Sequence, residues 1–184
     1  MGDMTTTTAP IRTATTATGS TTATSTAMVA ATASVGLSAG VLFCYQVAVM
    51  PGLARLDDRG FVTTFQSIDR AIVGPVYLGL AFFGGAAALG VATAVQRGRA
   101  RALLGIATAV YLVGVVGVTM AWHVPHNDAL RAIDVATASD ATLASARQGF
   151  ASTWTRLNLV RTVAATASLA LVALAATGGG AEQG

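Results

Sequence analysis

The stretch AWHVPHNDALRA, residues 121–132, holds both histidines of the chain, His123 and His126, directly after a long apolar run. Imidazoles in such a place ligate a metal, move protons near neutral pH, or make hydrogen bonds where a helix leaves a membrane. Their i, i+3 spacing would let both meet one ion, with Asp128 as a third ligand. Pro125 between them argues against a regular helix, however, and no further histidine completes the usual set, so no metal is expected. A second cluster stands in WTRLNLVRT, residues 154–162. Trp154, Asn158 and Arg161 recur there at i, i+4 and i+7 and so share one helix face. Near the end of a span an arginine can snorkel and a tryptophan can anchor at the interface. An asparagine aligned between them needs partners or a ligand at that depth.

The elements that must position these residues are set by composition. The 184 residues are 53% hydrophobic and only 10% charged, with a mean hydropathy of +0.64. Soluble domains carry about 25% charged residues, so the natural solvent of this chain is a lipid bilayer. All eleven basic residues are arginine, and they are scattered. Nucleic-acid binding, which needs clustered basic residues on one face, is excluded. The single cysteine, Cys44, lies inside an apolar run and is expected to be a small core residue, so there is no internal disulfide and no thiolate cluster.

Residues 1–27 form a Thr/Ala tract with almost no large apolar side chains, expected to be a disordered tail, and residues 178–184 a flexible C-terminal tail. Four apolar runs lie between them, at about 27–50, 72–96, 102–122 and 159–177. Each is close to or above the roughly 20 residues that cross about 30 Å of hydrocarbon. The fold expected is all-α: a bundle of four transmembrane helices over residues 28–177. Small residues, as in GLAFFGGAAALG, favour close helix packing in lipid. The short RGRAR link, with Arg97, Arg99 and Arg101, is cytoplasmic by the positive-inside rule. Both termini then face the cytoplasm, and a bacterial cytoplasmic membrane is the expected location.

The two longer connections, residues 51–71 and 123–158, face outward in that arrangement. In the first, Phe61, Phe65, Ile68 and Ile72 fall at helical spacing, with Gln66, Asp69 and Arg70 on neighbouring faces, so a short amphipathic helix rests on the bundle. The second is expected to contain helical structure. An antiparallel bundle puts His123, His126 and Asn127 at the same outer end as Trp154, Asn158 and Arg161. A polar pocket beneath the outer loops follows. Tyr45 and Gln46 line it from the first span, and Gln66 and Asp69 from the outer helix; with Trp154 they are the candidate substrate-binding residues.

The segments GLSAGVLFCYQVAVMPGLARL, FQSIDRAIVGP, VPHNDAL and WTRLNLVR, in that order, resemble a family of small four-helix membrane proteins that includes the anthrone oxygenases. The resemblance spans roughly residues 34–175. Asn127, Trp154, Asn158 and Arg161 match the family pattern as they stand. His123 takes the place of a usual asparagine, His126 of an often apolar residue, and Asp69 and Gly74 occupy positions where asparagine is common. The resemblance implies oxidation of an anthrone-type aromatic polyketide by molecular oxygen, turning a ring methylene into a quinone carbonyl. Such a carbanion is electron-rich enough to reduce oxygen directly, so no cofactor is implied. In that scheme His126, or else His123, is the base; Asn127, Asn158 and Arg161 stabilise the enolate oxygen, and Trp154 stacks on the ring system. The partners are then the bilayer, a hydrophobic aromatic small molecule and oxygen. The competing reading is a non-enzymatic membrane protein that binds a small molecule or packs against another protein.

Overall fold

A computed structural model describes residues 15–72 and 82–177, with side chains from residue 22 onward. The described residues are mostly helical and contain no strand. Helix α1 begins at Thr15, inside the stretch that composition marks as a tail, and runs to Cys44; a π turn, Tyr45–Val49, and a last turn, Met50–Leu53, continue it. Threonines suit this stretch because Thr26 and Thr32 donate their hydroxyls to the carbonyls of Thr22 and Met28 one turn back. Helix α2 spans Asp58–Ile72, α3 Gly84–Val95, α4 Gly98–Arg131 and α5 Asp140–Thr177.

Three of these, α1 over Thr22–Leu53, α4 and α5, are long and apolar enough to cross a membrane. Their outer faces carry side chains such as Leu37, Val113 and Val163, more than 60% exposed, which only hydrocarbon would cover favourably. The chain thus has the character of a membrane protein. The second expected run, 72–96, falls partly on residues 73–81, outside the described residues; its described part is the 12-residue α3. Between α3 and α4 only Gln96 and Arg97 leave the helical path. Gly98 there has φ +55°, a conformation glycine adopts without strain.

The second outer connection differs from expectation. Residues 123–131 extend α4 and residues 140–158 belong to α5, leaving 132–139 as the loop. Pro125 does not end the helix because the π turn Thr119–His123 precedes it. A proline clashes with the carbonyl four residues back, here that of Ala121, and a wider turn at that point relieves the clash. Pro51 repeats the device: its clash partner, Val47, lies inside the π turn Tyr45–Val49.

The core of α1, α3, α4 and α5 is built from Ala31, Val35, Leu42, Leu89, Leu104, Tyr111, Val115, Ala165 and Val172. Tyr111 donates its phenol to Ser38 Oγ at 2.8 Å, and Ser168 Oγ donates to the Ala107 carbonyl at 3.1 Å. A Cβ on Gly114 would stand 2.4 Å from Ala164 Cβ, so α4 and α5 touch through this glycine. Gly114→Val is expected to lower stability by about 1–3 kcal/mol through forced separation of the two helices. Thermal melts in detergent check this, and adding Ala164→Gly should recover part of the loss.

Helix α2, the last turn of α1 and the adjoining ends of α4 and α5 form a second cluster, with Met50, Leu53, Phe61, Val62, Phe65, Leu130, Leu143, Phe150 and Trp154. Arg147 fastens the α1–α2 turn, donating to the carbonyls of Leu56 (2.7 Å) and Ala54 (2.8 Å) while its guanidinium lies 5.0 Å from the Phe61 ring. Arg59 reaches the carbonyls of Val135 and Ala138 and the Asp140 carboxylate. In the loop, Asp134 accepts from the Thr137 hydroxyl and the Ala136 N–H, which hold its carboxyl below the usual carboxylate range.

Candidate functional site

Between α2 and the adjoining halves of α1, α4 and α5 lies a cavity of about 380 Å³. Its walls are mostly apolar, and that size falls in the roughly 300–1,000 Å³ range of small-molecule sites. Helix α5 supplies Trp154 and Arg161 to the lining. Their i, i+7 spacing, with Asn158 between, puts all three on the buried face: Trp154 and Arg161 are 5% exposed and Asn158 is fully buried.

Asn158 fixes Arg161. Its amide nitrogen donates to the Leu42 carbonyl and to Gln46 Oε1, both at 3.0 Å. Its oxygen accepts from Arg161 Nη2 at 2.9 Å, and Arg161 Nη1 donates to Thr119 Oγ1 at 3.1 Å. Trp154 supports the guanidinium, whose central carbon lies 5.5 Å from the indole ring. Among the described residues no carboxylate forms an ion pair with Arg161, and its Nε is buried without a hydrogen-bond partner. A buried cation with neither a counter-charge nor a full set of acceptors is costly, and such groups mark functional sites within membranes.

His123 faces the same cavity. It is 3% exposed and packs edge-on against Trp154, with ring centroids 5.1 Å apart. Nδ1 lies 3.5 Å from the Val118 carbonyl, and Nε2 has no partner among the described residues. A proton held on Nδ1 toward that carbonyl leaves a lone pair on Nε2, the form of imidazole that accepts a proton.

The remaining polar residues hold one another. Trp154 Nε1 donates to Asn127 Oδ1 at 3.0 Å, and Asn127 Nδ2 donates to Asp69 Oδ1 at 2.9 Å. Asp69 Oδ2 accepts from Arg131 Nε at 2.8 Å and from its Nη2. Arg131 also binds Asp128. The result is a chain of hydrogen bonds from the exposed Asp128 through Arg131, Asp69 and Asn127 to the indole.

The sequence candidates therefore separate. His123, Asn127, Asp69, Tyr45, Trp154 and Arg161 line the cavity, with the Tyr45 ring 5.5 Å from that of Trp154. Asn158 and Gln46 stand behind the lining, and both protons of the Asn158 amide are occupied within the protein. Its part is to hold Arg161, where enolate contact was expected. Gln66 is also outside the lining: its amide donates to the carbonyls of Leu130 (3.0 Å) and Ile133 (2.9 Å), satisfying acceptors left at the end of α4. The buried stripe of α2 is thus Phe61, Val62, Phe65, Gln66 and Asp69, turned from the expected Phe61, Phe65, Ile68 and Ile72. His126 lies on another side of α4. It accompanies Ala146 and Phe150 in a separate groove, with Nδ1 2.6 Å from the Trp122 carbonyl. Of the two histidines, His123 is the one placed to act in the cavity. Among the described residues no group of three His, Cys, Asp or Glu is arranged to hold a metal.

Thr119 and Arg131 escaped the sequence reading, yet both line the cavity. The signal was present: Thr119, His123, Asn127 and Arg131 recur every four residues. A regular helix of 3.6 residues per turn would carry that spacing off one face, and the wider π turn brings it back into line.

The sequence pattern of the family described as anthrone oxygenase matches residues 61–171, more than half of the chain. The chain belongs to the anthrone oxygenase family. The matched stretch contains most of α2, α3, the whole of α4 and most of α5, and so every residue lining the cavity except those of α1. No significant match was found among curated proteins or among solved structures.

Proposed function

We propose that the protein oxidises an anthrone-type aromatic compound with molecular oxygen, in the cavity between α1, α4 and α5. The observation that carries this reading is the pair of unpartnered buried nitrogens, Arg161 Nε and His123 Nε2, at one apolar cavity beside Trp154. The first suits a developing oxyanion and the second suits proton abstraction. The cavity belongs to a bundle of four spans in which residues 72–96 complete the second crossing, with the RGRAR link and both termini on the cytoplasmic side.

The keto oxygen of the substrate sits against the Arg161 guanidinium and its ring methylene faces His123 Nε2. His123 takes one methylene proton, and the electron pair spreads onto the oxygen, where the guanidinium stabilises it. The carbanion gives one electron to oxygen, and the resulting carbon radical and superoxide join in a C–O bond. Proton return makes a hydroperoxide. Loss of the second C–H proton to His123 forms the carbonyl while the O–O bond breaks and hydroxide leaves, which the imidazolium protonates to water. The methylene and O₂ become a carbonyl and water, with no electron left over.

The atom balance gives the test. Membranes containing the protein, supplied with an anthrone under ¹⁸O₂, should form quinone with one labelled oxygen and release the other label as water, faster than empty membranes do. Quinone formed no faster than in empty membranes would overturn the reading.

A further inference from the structure

The cavity has two rims of opposite character. At the outer rim stand Asp128 and Arg131, paired with each other and, through Arg131, with Asp69. At the other rim stand Val41 and Cys44, both exposed on the apolar surface of α1, so Cys44 is not the core residue its apolar run suggested. Cys44 lies nine residues before Leu53, so this rim is about 14 Å below the outer end of α1 at 1.5 Å per residue.

Val41 and Cys44 also belong to a second depression, an open groove along α1 floored by Gly36 and Gly40. A Cβ on either glycine would have nothing within 4 Å, so no other part of the described chain fills the groove. The groove therefore runs along the apolar surface of the span, and Val41 and Cys44 border both it and the chamber that holds the two unpartnered nitrogens of Arg161 and His123.

We infer that the Gly36–Gly40 groove of α1 is the route by which a flat, uncharged aromatic substrate passes from the hydrocarbon of the bilayer into the cavity. This rests on the proposed oxidation for the identity of the substrate. The chemistry of the two rims decides the direction. A fused-ring ketone concentrates in hydrocarbon and gains nothing from crossing an ion-paired rim, whereas the apolar groove leaves the surface over Gly36 and Gly40 open. The substrate class that follows is a lipophilic anthrone without ionised substituents.

The test adds bulk to the groove and reads selectivity. Gly36→Leu and Gly40→Leu each place a side chain in open space and should fold. They are expected to lower kcat/KM for an anthrone by about tenfold while leaving kcat near its original value, since the reacting groups are untouched. Val29→Phe, equal in added bulk at another exposed position of α1, is the control and should change neither. Unchanged kcat/KM in both glycine variants would overturn the route. A second measurement does not require turnover: alkylation of Cys44 by pyrene maleimide in lipid vesicles should slow when a tricyclic quinone is added. No protection would overturn the route, as would oxidative Cys44–Cys44 crosslinking showing that a second copy covers the groove. Absence of oxidation by the unaltered chain would sink the oxygenase reading instead, and the protection result would still decide whether an aromatic reaches the cavity past Cys44.

Discussion

Replacing Arg161 with glutamine is expected to lower kcat for an anthrone by about 10²–10³-fold, the usual consequence of removing a preorganised oxyanion donor. KM should change much less, because the guanidinium acts on charge that develops after proton removal. Arg161→Lys keeps the charge but presents it as a point, without the planar fork that reaches Asn158 and Thr119 together, and should recover only part of the rate. Stability separates this role from a structural one. The variant leaves Asn158 Oδ1 short of a donor, at a cost of about 1–3 kcal/mol, but also removes an uncompensated buried charge. The two effects oppose each other, so the variant should remain folded in the membrane with a melting temperature near that of the original protein. Parallel kinetics and melts check this; equal losses of activity and stability would assign Arg161 to the fold alone.

His123→Gln is the second large effect. Loss of a positioned general base lowers rates by about 10²–10⁴-fold, and the loss should fall on kcat. Its signature lies in the pH profile. Without the imidazole, the reaction must wait for the substrate methylene to ionise by itself, so the variant's rate should keep climbing with pH after that of the original protein has levelled off. A His123→Gly variant leaves space where the ring stood, and added imidazole should restore part of its rate. His126→Gln, whose ring lies in a separate groove, should match the original protein in both rate and pH profile.

The contrast between these two histidines shows where sequence reasoning reached its end. Length and apolarity were enough to find three of the four expected spans, the long apolar helices α1, α4 and α5, because a bilayer imposes its thickness on any helix that crosses it. The i, i+4, i+7 spacing of Trp154, Asn158 and Arg161 was enough to put them on one face, because α5 is regular through that stretch. Near His123 and His126 the helix is not regular. The π turn before Pro125 re-aims the residues on either side, turning His123 inward and His126 away, and a 3.6-residue wheel does not contain that rotation.

Long-range partners explain the other differences. Gln66 and Asp69 read as the polar edge of an amphipathic helix, yet both are buried, because the carbonyls of Leu130 and Ile133 and the guanidinium of Arg131 wait for them on another helix. Asn158 likewise read as a group for the substrate, since an isolated asparagine in a span demands partners. Its partners prove to be Arg161, one turn along the same face, and Leu42 and Gln46 of α1, which sequence spacing does not place beside it. The demand was readable in the sequence, but the residues that meet it became identifiable only once the helices were packed.

The central claim is that Arg161 and His123 act on a substrate and oxygen in one cavity. Oxygen uptake on addition of an anthrone, followed together with quinone absorbance, tests it most directly in membranes carrying the original chain, the Arg161→Gln chain, or neither. The account predicts uptake by the original chain well above both others, with one quinone formed per oxygen consumed and the variant close to the empty-membrane rate. Equal uptake by all three, with the proteins present and folded, would contradict it.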